Sequence, residues 1–126
     1  MESIRVQIVV RHISGARATE IDVVPVGAHR ELILGRAPSA AIRFDAHRDD
    51  EVGRQHARIE PEGGRDGFRL VDLDSRNGTF LNGARLTGPA PLRSGDVVRL
   101  GTGGPEFEIQ IEPLSVTLGR GPGGGR

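Results

Sequence analysis

Cysteine, lysine, tryptophan and tyrosine are all missing from these 126 residues. Without cysteine the chain has no disulfide and no thiolate nucleophile or metal ligand. Without lysine it has no phosphate-binding P-loop. Four phenylalanines are the only aromatics, which leaves little surface on which bases could stack. A formal net charge of zero gives no long-range field toward nucleic acid. Long apolar runs are absent too, and no segment approaches the length that spans a bilayer. The start, Met1-Glu-Ser-Ile-Arg-Val-Gln7, carries an acid where a secretory leader needs a basic region. These absences predict a soluble cytoplasmic protein that binds neither nucleic acid nor membrane.

Catalysis finds no support either. No serine, histidine and aspartate are spaced as a nucleophile with its base, and His12, His29, His47 and His56 show no metal-ligand spacing. The expectation is a non-enzymatic, cofactor-free protein with no metal. The glycines of the C-terminal end lack the strand-to-helix setting of a dinucleotide fingerprint.

What is present is arginine, 17 residues of it against 17 of aspartate plus glutamate. A planar guanidinium captures two oxygens of a carboxylate or phosphate at once. By itself that count also fits a genomic preference for arginine over lysine, so the pattern around each arginine has to decide.

The length suits one domain. Ile4–Val10 alternates apolar with polar residues before turning wholly apolar, and Ala18–Val26 repeats the style after a Ser14-Gly15 break. The same grammar recurs in Glu31–Leu34, Ala41–Phe44, Ala57–Glu60, Phe68–Leu73, Thr79–Leu81, Val97–Leu100 and Phe107–Ile111. Between these runs stand Gly63-Gly64, Asp66-Gly67, Asn77-Gly78, Asn82-Gly83, Ser94-Gly95 and Gly103-Gly104-Pro105, all of them turn chemistry. No window sustains a helical period. The pattern predicts an all-β fold of about ten to eleven short strands, a β-sandwich of two packed, mostly antiparallel twisted sheets. Residues 1–113 form the expected domain. Residues 114–126, rich in glycine, read as a flexible tail or linker stub that cannot bury enough apolar surface to offset its ordering entropy.

Three motifs then fall in order along this β pattern: Gly35-Arg36 at the end of a strand, Gly53-Arg-Gln-His56 opening another, and Asn77-Gly78-Thr79 with Asn82 near a hairpin. Together they resemble the forkhead-associated (FHA) family, phosphothreonine-binding domains, over residues 4–113. The resemblance implies that Arg36 and Arg54 contact the phosphate and that Asn77 bonds the peptide backbone beside the phosphothreonine. Arg76 adds a phosphate or peptide contact. His56 braces the loops, while Gly35, Gly78, Thr79 and Asn82 support the site, the last two through side-chain to backbone bonds. Read from the residues alone, Arg36 is equally a solvated arginine after a turn glycine. Arg54 equally pairs with Asp49, Asp50 or Glu51, and Ser75 either caps its loop or binds.

One position departs from the family pattern. Gly53 stands where the family usually has a serine whose hydroxyl bonds the phosphate. The loss of that hydroxyl is worth roughly 1.5–3 kcal/mol against a charged acceptor, and glycine keeps an N–H that a loose anion-binding nest could use instead. Two functions follow. The leading one is a phosphopeptide-recognition module for signal transduction, with Arg36, Gly53, Arg54, Arg76 and Asn77 as ligands, whose partner is a phosphothreonine-containing substrate of a Ser/Thr kinase. The alternative is a degenerate FHA domain serving as a phospho-independent interaction scaffold, its site repelling phosphate through Asp49, Asp50 and Glu51. A further expectation makes Thr117 a kinase target that folds back onto the domain's own site.

Overall fold

The computed structural model describes residues 6–26, 31–62 and 67–113. Eleven strands run through them: β1 Val6–His12, β2 Ile21–Val26, β3 Leu32–Gly35, β4 Ile42–Arg43, β5 Ala57–Pro61, β6 Phe68–Asp72, β7 Thr79–Leu81, β8 Ala84–Arg85, β9 Ala90–Leu92, β10 Val97–Leu100 and β11 Glu106–Pro113. They form a six-stranded sheet ordered β2-β1-β11-β10-β7-β8 and a five-stranded sheet ordered β4-β3-β5-β6-β9. Every pairing is antiparallel except β3 with β4, which run parallel through Leu34↔Ile42 and Gly35↔Arg43. The β-sandwich expected from the alternating pattern is therefore present. The tail and Thr117 lie outside the described residues.

The core is built by period-2 burial. Ile8 and Val10 of β1, Val98 and Leu100 of β10, and Phe107 and Ile109 of β11 face inward from the larger sheet. Leu32 and Leu34 of β3, Ile42, Ala57, Ile59, Phe68, Leu70 and Leu92 answer from the smaller one. Two loop residues, Phe44 and Val52, join them and are each at most 2% exposed. Their burial pins the long segment between β4 and β5 at both ends, at roughly 1.5–3 kcal/mol per side chain.

Prolines mark edges. Pro25 lies on β2 and Pro91 on β9, each the outermost strand of its sheet, where a missing N–H costs no ladder bond. Pro61 sits in central β5 but beyond the Ala57–Ile59 stretch that pairs with β3.

Some boundaries differ from the sequence reading, for local reasons. β2 starts at Ile21 rather than Ala18 because residues 16–19 turn and Thr19 adopts φ of 77°. β4 shrinks to two residues because Phe44 bends into the core. β8 and β9 were not separate apolar runs. β8 forms because Asn82 and Gly83, with φ of 51° and 87°, make the double left-handed turn that folds it back on β7, and β9 forms by pairing with β6 in the other sheet.

Candidate functional site

Loops between β3 and β4 (36–41), β4 and β5 (44–56), and β6 and β7 (73–78) are bonded into one surface. The close approach starts at Gly35. A side-chain carbon there would lie 2.1 Å from the Arg54 carbonyl oxygen, so only glycine lets the first two loops touch. They are then stitched by Arg36 N–H to Gly53 O at 2.9 Å, Ala37 N–H to Arg54 O at 3.0 Å and His56 N–H to Leu34 O at 2.9 Å.

His56 is the junction with the third loop. Fully buried, it accepts the Gly53 N–H at Nδ1 (2.9 Å) and donates from Nε2 to the Gly78 carbonyl (2.8 Å). Those two partners define the neutral Nε2–H tautomer. Burial holds the imidazole below its ordinary pKa, against the opposing pull of the Gly78 carbonyl and the Asp72 charge. Gly78 itself has φ of 87°, and its carbonyl also accepts Gly101 N–H at 2.8 Å. Asn77 adds the second cross-link, Nδ2 to Glu51 O at 3.0 Å. Its amide keeps one N–H and its oxygen for a ligand.

A residue outside the sequence-derived set organises the third loop. Asp72, at the end of β6, accepts the Ser75 hydroxyl at 2.6 Å, the Ser75 N–H at 3.1 Å and the Thr79 hydroxyl at 2.6 Å. Burial alone would raise this carboxyl, but the bonds from Ser75 and Thr79 outweigh it and leave the pKa lowered. Ser75 Oγ in turn accepts Gly78 N–H at 3.0 Å, so Ser75 caps its own loop. The only trace of this in the sequence is the Asp72-x-x-Ser75 spacing, an Asx-type turn signal.

The structure separates the expected site residues into groups. It brings Gly35, Arg36, Gly53, Arg54, His56, Asn77 and Gly78 into one bonded cluster, with Arg76 carried between Ser75 and Asn77. Thr79 supports the cluster, but through a side-chain bond to Asp72 and not to backbone. Asn82 lies beyond the far end of β7, where it accepts Val97 N–H at 2.9 Å and donates to Asp96 at 3.0 Å. It supports the hairpin and touches none of the three loops.

Gly53 needs a correction. Its N–H, expected as a ligand donor, is engaged by His56, and it does not use the left-handed backbone that a glycine nest requires. The Arg54 and Gln55 N–H groups beside it, in contrast, have no partner among the described residues. Two of the three neighbouring acids also leave the repulsive cluster read from sequence, whereas Asp50 is exposed with no partner among the described residues. Asp49 is buried and caps Ala16 N–H at 3.1 Å and Asp45 N–H at 3.2 Å. Glu51 reaches away to Gly103 N–H at 2.9 Å. Both carboxylates serve as loop clasps, and neither pairs with Arg54.

Charge is distributed unevenly. Arg11, Arg17, Arg48, Arg58, Arg69 and Arg99 pair with carboxylates on the sheets and turns. Arg36, Arg54 and Arg76 have no carboxylate partner among the described residues, and neither do Arg43, Arg85 and Arg93. Arg36 donates instead to neutral carbonyls, from Nε to Val52 and from Nη1 to Ala46, the latter at 3.0 Å. A net-neutral chain thus keeps uncompensated guanidiniums on its loop end, where an oxyanion would be attracted.

A family model for the FHA domain matches residues 32–101, which span all three loops. The chain belongs to the FHA domain family. This FHA domain is 32% identical over 102 residues to an oxoglutarate dehydrogenase inhibitor of Corynebacterium diphtheriae, covering 68% of this chain and 69% of that protein. A solved structure from a structural and functional analysis of phosphothreonine-dependent FHA domain interactions superposes with a TM-score of 0.66 at 29% identity, covering 86% of this chain and 99% of the other. The FhaA FHA domain, solved in complex with the intracellular domain of Rv3910, gives 0.63 at 27% identity, covering 82% and 99%. The chain spans between 8% and 44% of the length of three mycobacterial relatives it matches.

Proposed function

We propose that this FHA domain recognises phosphothreonine-containing segments of partner proteins, with Arg36 and Arg54 on the phosphate, Asn77 on the peptide backbone and Arg76 flanking them. One observation carries the reading: Arg36, Arg54 and Arg76 lie on adjoining loops with no carboxylate ion-paired to them among the described residues, while Asp49 and Glu51 are drawn into loop-clasping bonds and leave Asp50 as the exposed acid between them. A solved relative from work on phosphothreonine-dependent FHA domain interactions supports it. Recognition of this kind is charge-assisted and needs no catalytic group. The domain acts by binding, and its loop cluster is held ready before a ligand arrives by Gly35, His56 and Asp72.

The bonds of Asp49 and Glu51 remove two of the three acids on which a phospho-independent scaffold was read, while exposed Asp50 and the missing serine at Gly53 remain in its favour. Isothermal titration with a phosphothreonine peptide library and its unphosphorylated counterpart tests the proposal. A phosphate-dependent preference that Arg36→Ala reduces by at least about tenfold is expected. Equal affinity for both peptide forms, unchanged in Arg36→Ala, would overturn it.

A further inference from the structure

Arg43, like Arg85 and Arg93, has no carboxylate partner among the described residues and lies outside the primary ligand set. It stands exposed at the end of β4. Its surroundings form a concave surface of about 370 Å³ lined by Arg17, Arg43, Phe44, Asp45, Ala46 and His47.

That cavity adjoins Arg36 through one shared residue. Ala46, part of its wall, offers its carbonyl to Arg36 Nη1 at 3.0 Å. Arg43 Nε reaches the Arg36 carbonyl at 3.4 Å, and Arg17 Nη1 donates to the Arg43 carbonyl at 3.0 Å. Three guanidiniums therefore step along the β4 edge, each resting on a backbone carbonyl of the next segment.

The charges in that strip are not equivalent. Arg17 is neutralised by a two-pronged pair with Asp22 (2.7 and 2.8 Å) and by Glu20 at 2.7 Å. Asp45, the one acid of the lining, is turned into its own loop, where it accepts the His47 and Arg48 N–H groups at 2.8 Å. Arg43 keeps its charge. A carbonyl at 3.4 Å is a weak, neutral acceptor that an oxyanion readily displaces.

We infer that the Arg43 cavity is a second anion subsite, which takes a phosphorylated or acidic side chain lying on the same peptide as the phosphothreonine held by Arg36. The inference rests on the proposed phosphopeptide reading and extends it: the preferred ligand carries two oxyanions, one for each arginine. Because the subsites share Ala46, the second anion binds from an already tethered peptide, and its high effective concentration converts a modest contact into measurable affinity.

Fluorescence anisotropy on three peptide series tests it. Each series keeps one phosphothreonine and moves phosphoserine, glutamate or alanine through the flanking positions on both sides. At one set of positions the phosphoserine peptides should bind about tenfold tighter than the alanine peptides, and glutamate should fall between. Those arms separate a phosphate from a carboxylate occupant. The ratio of doubly to singly anionic affinities should collapse toward one in Arg43→Gln. It should persist in Arg93→Gln, which removes an equally unpaired charge from the β9–β10 turn. Phosphothreonine binding with no gain from any second anion would overturn this inference and leave the primary reading standing, as would a gain that Arg43→Gln retains. Absence of phosphothreonine binding altogether would overturn both.

Discussion

Restoring a serine at position 53 isolates the cost of the departure from the family pattern. A side-chain carbon built on Gly53 meets nothing closer than His56 Nδ1 at 3.8 Å, with the His56 backbone at 3.9 Å, which is ordinary van der Waals contact. The backbone there lies outside the left-handed region, so a serine enters without strain. Two effects then separate. Replacing glycine where the conformation already suits a side chain stabilises the fold by roughly 0.4–1 kcal/mol through the unfolded chain. Adding a hydroxyl donor to a charged phosphate contributes roughly 1.5–3 kcal/mol, or about ten- to a hundredfold in affinity. Titration calorimetry with one phosphothreonine peptide, run beside thermal melts of both proteins, reads the two effects independently. The expected result is tighter binding of the phosphorylated peptide alone, with a melting temperature at or above that of the wild type. A Gly53→Ser protein that melts normally yet binds no tighter would refute the placement of position 53 beside the phosphate.

Two further outcomes follow from the loop framework. Gly35→Ala forces a carbon to within 2.1 Å of a backbone oxygen that no side-chain rotation can relieve, so urea unfolding should show a loss of about 3 kcal/mol, at the upper end of overpacking costs; a loss under ~1 kcal/mol would mean the first two loops are not locked there. Acid should loosen the same framework in two stages. His56 holds its proton less tightly folded than unfolded, so its bonds contribute fully above about pH 6.5 and are lost as pH falls below that value toward the lowered folded pKa. Asp72, also lowered, contributes above its ordinary value of 3.8 and is lost beneath it. Urea midpoints measured against pH, without peptide because phosphate itself titrates near pH 6, should fall below pH 6.5 in the wild type. The fall in that window should vanish in His56→Gln, and an unaltered profile would remove His56 as its source.

The sequence alone determined most of the strands, though not β8 and β9, and the motifs, because these are written in local chemistry. Alternation in Ile4-Arg-Val-Gln-Ile8 and Phe107-Glu-Ile109 announces a buried face whatever the strand pairs with. Asn82-Gly83 announces a left-handed turn in the same way. Asn77-Gly78 marks positive φ, and the order of Gly35-Arg36, Arg54-Gln-His56 and Asn77-Gly-Thr79 carries the family. What only the tertiary structure decided is who meets whom across loops far apart in sequence. Asp49 and Glu51 looked like free carboxylates beside Arg54, yet one caps the loop of Ala16 and the other that of Gly103. The Gly53 N–H looked available and belongs to His56. Arg43 carried no mark of importance until the fold brought its guanidinium to the Arg36 carbonyl, whereas Asp72 left a local trace in its spacing to Ser75. A turn or an alternation is fixed by neighbours one to four residues away, whereas the partner of a loop carboxylate or guanidinium is fixed by the order of strands in two sheets, which no local pattern records.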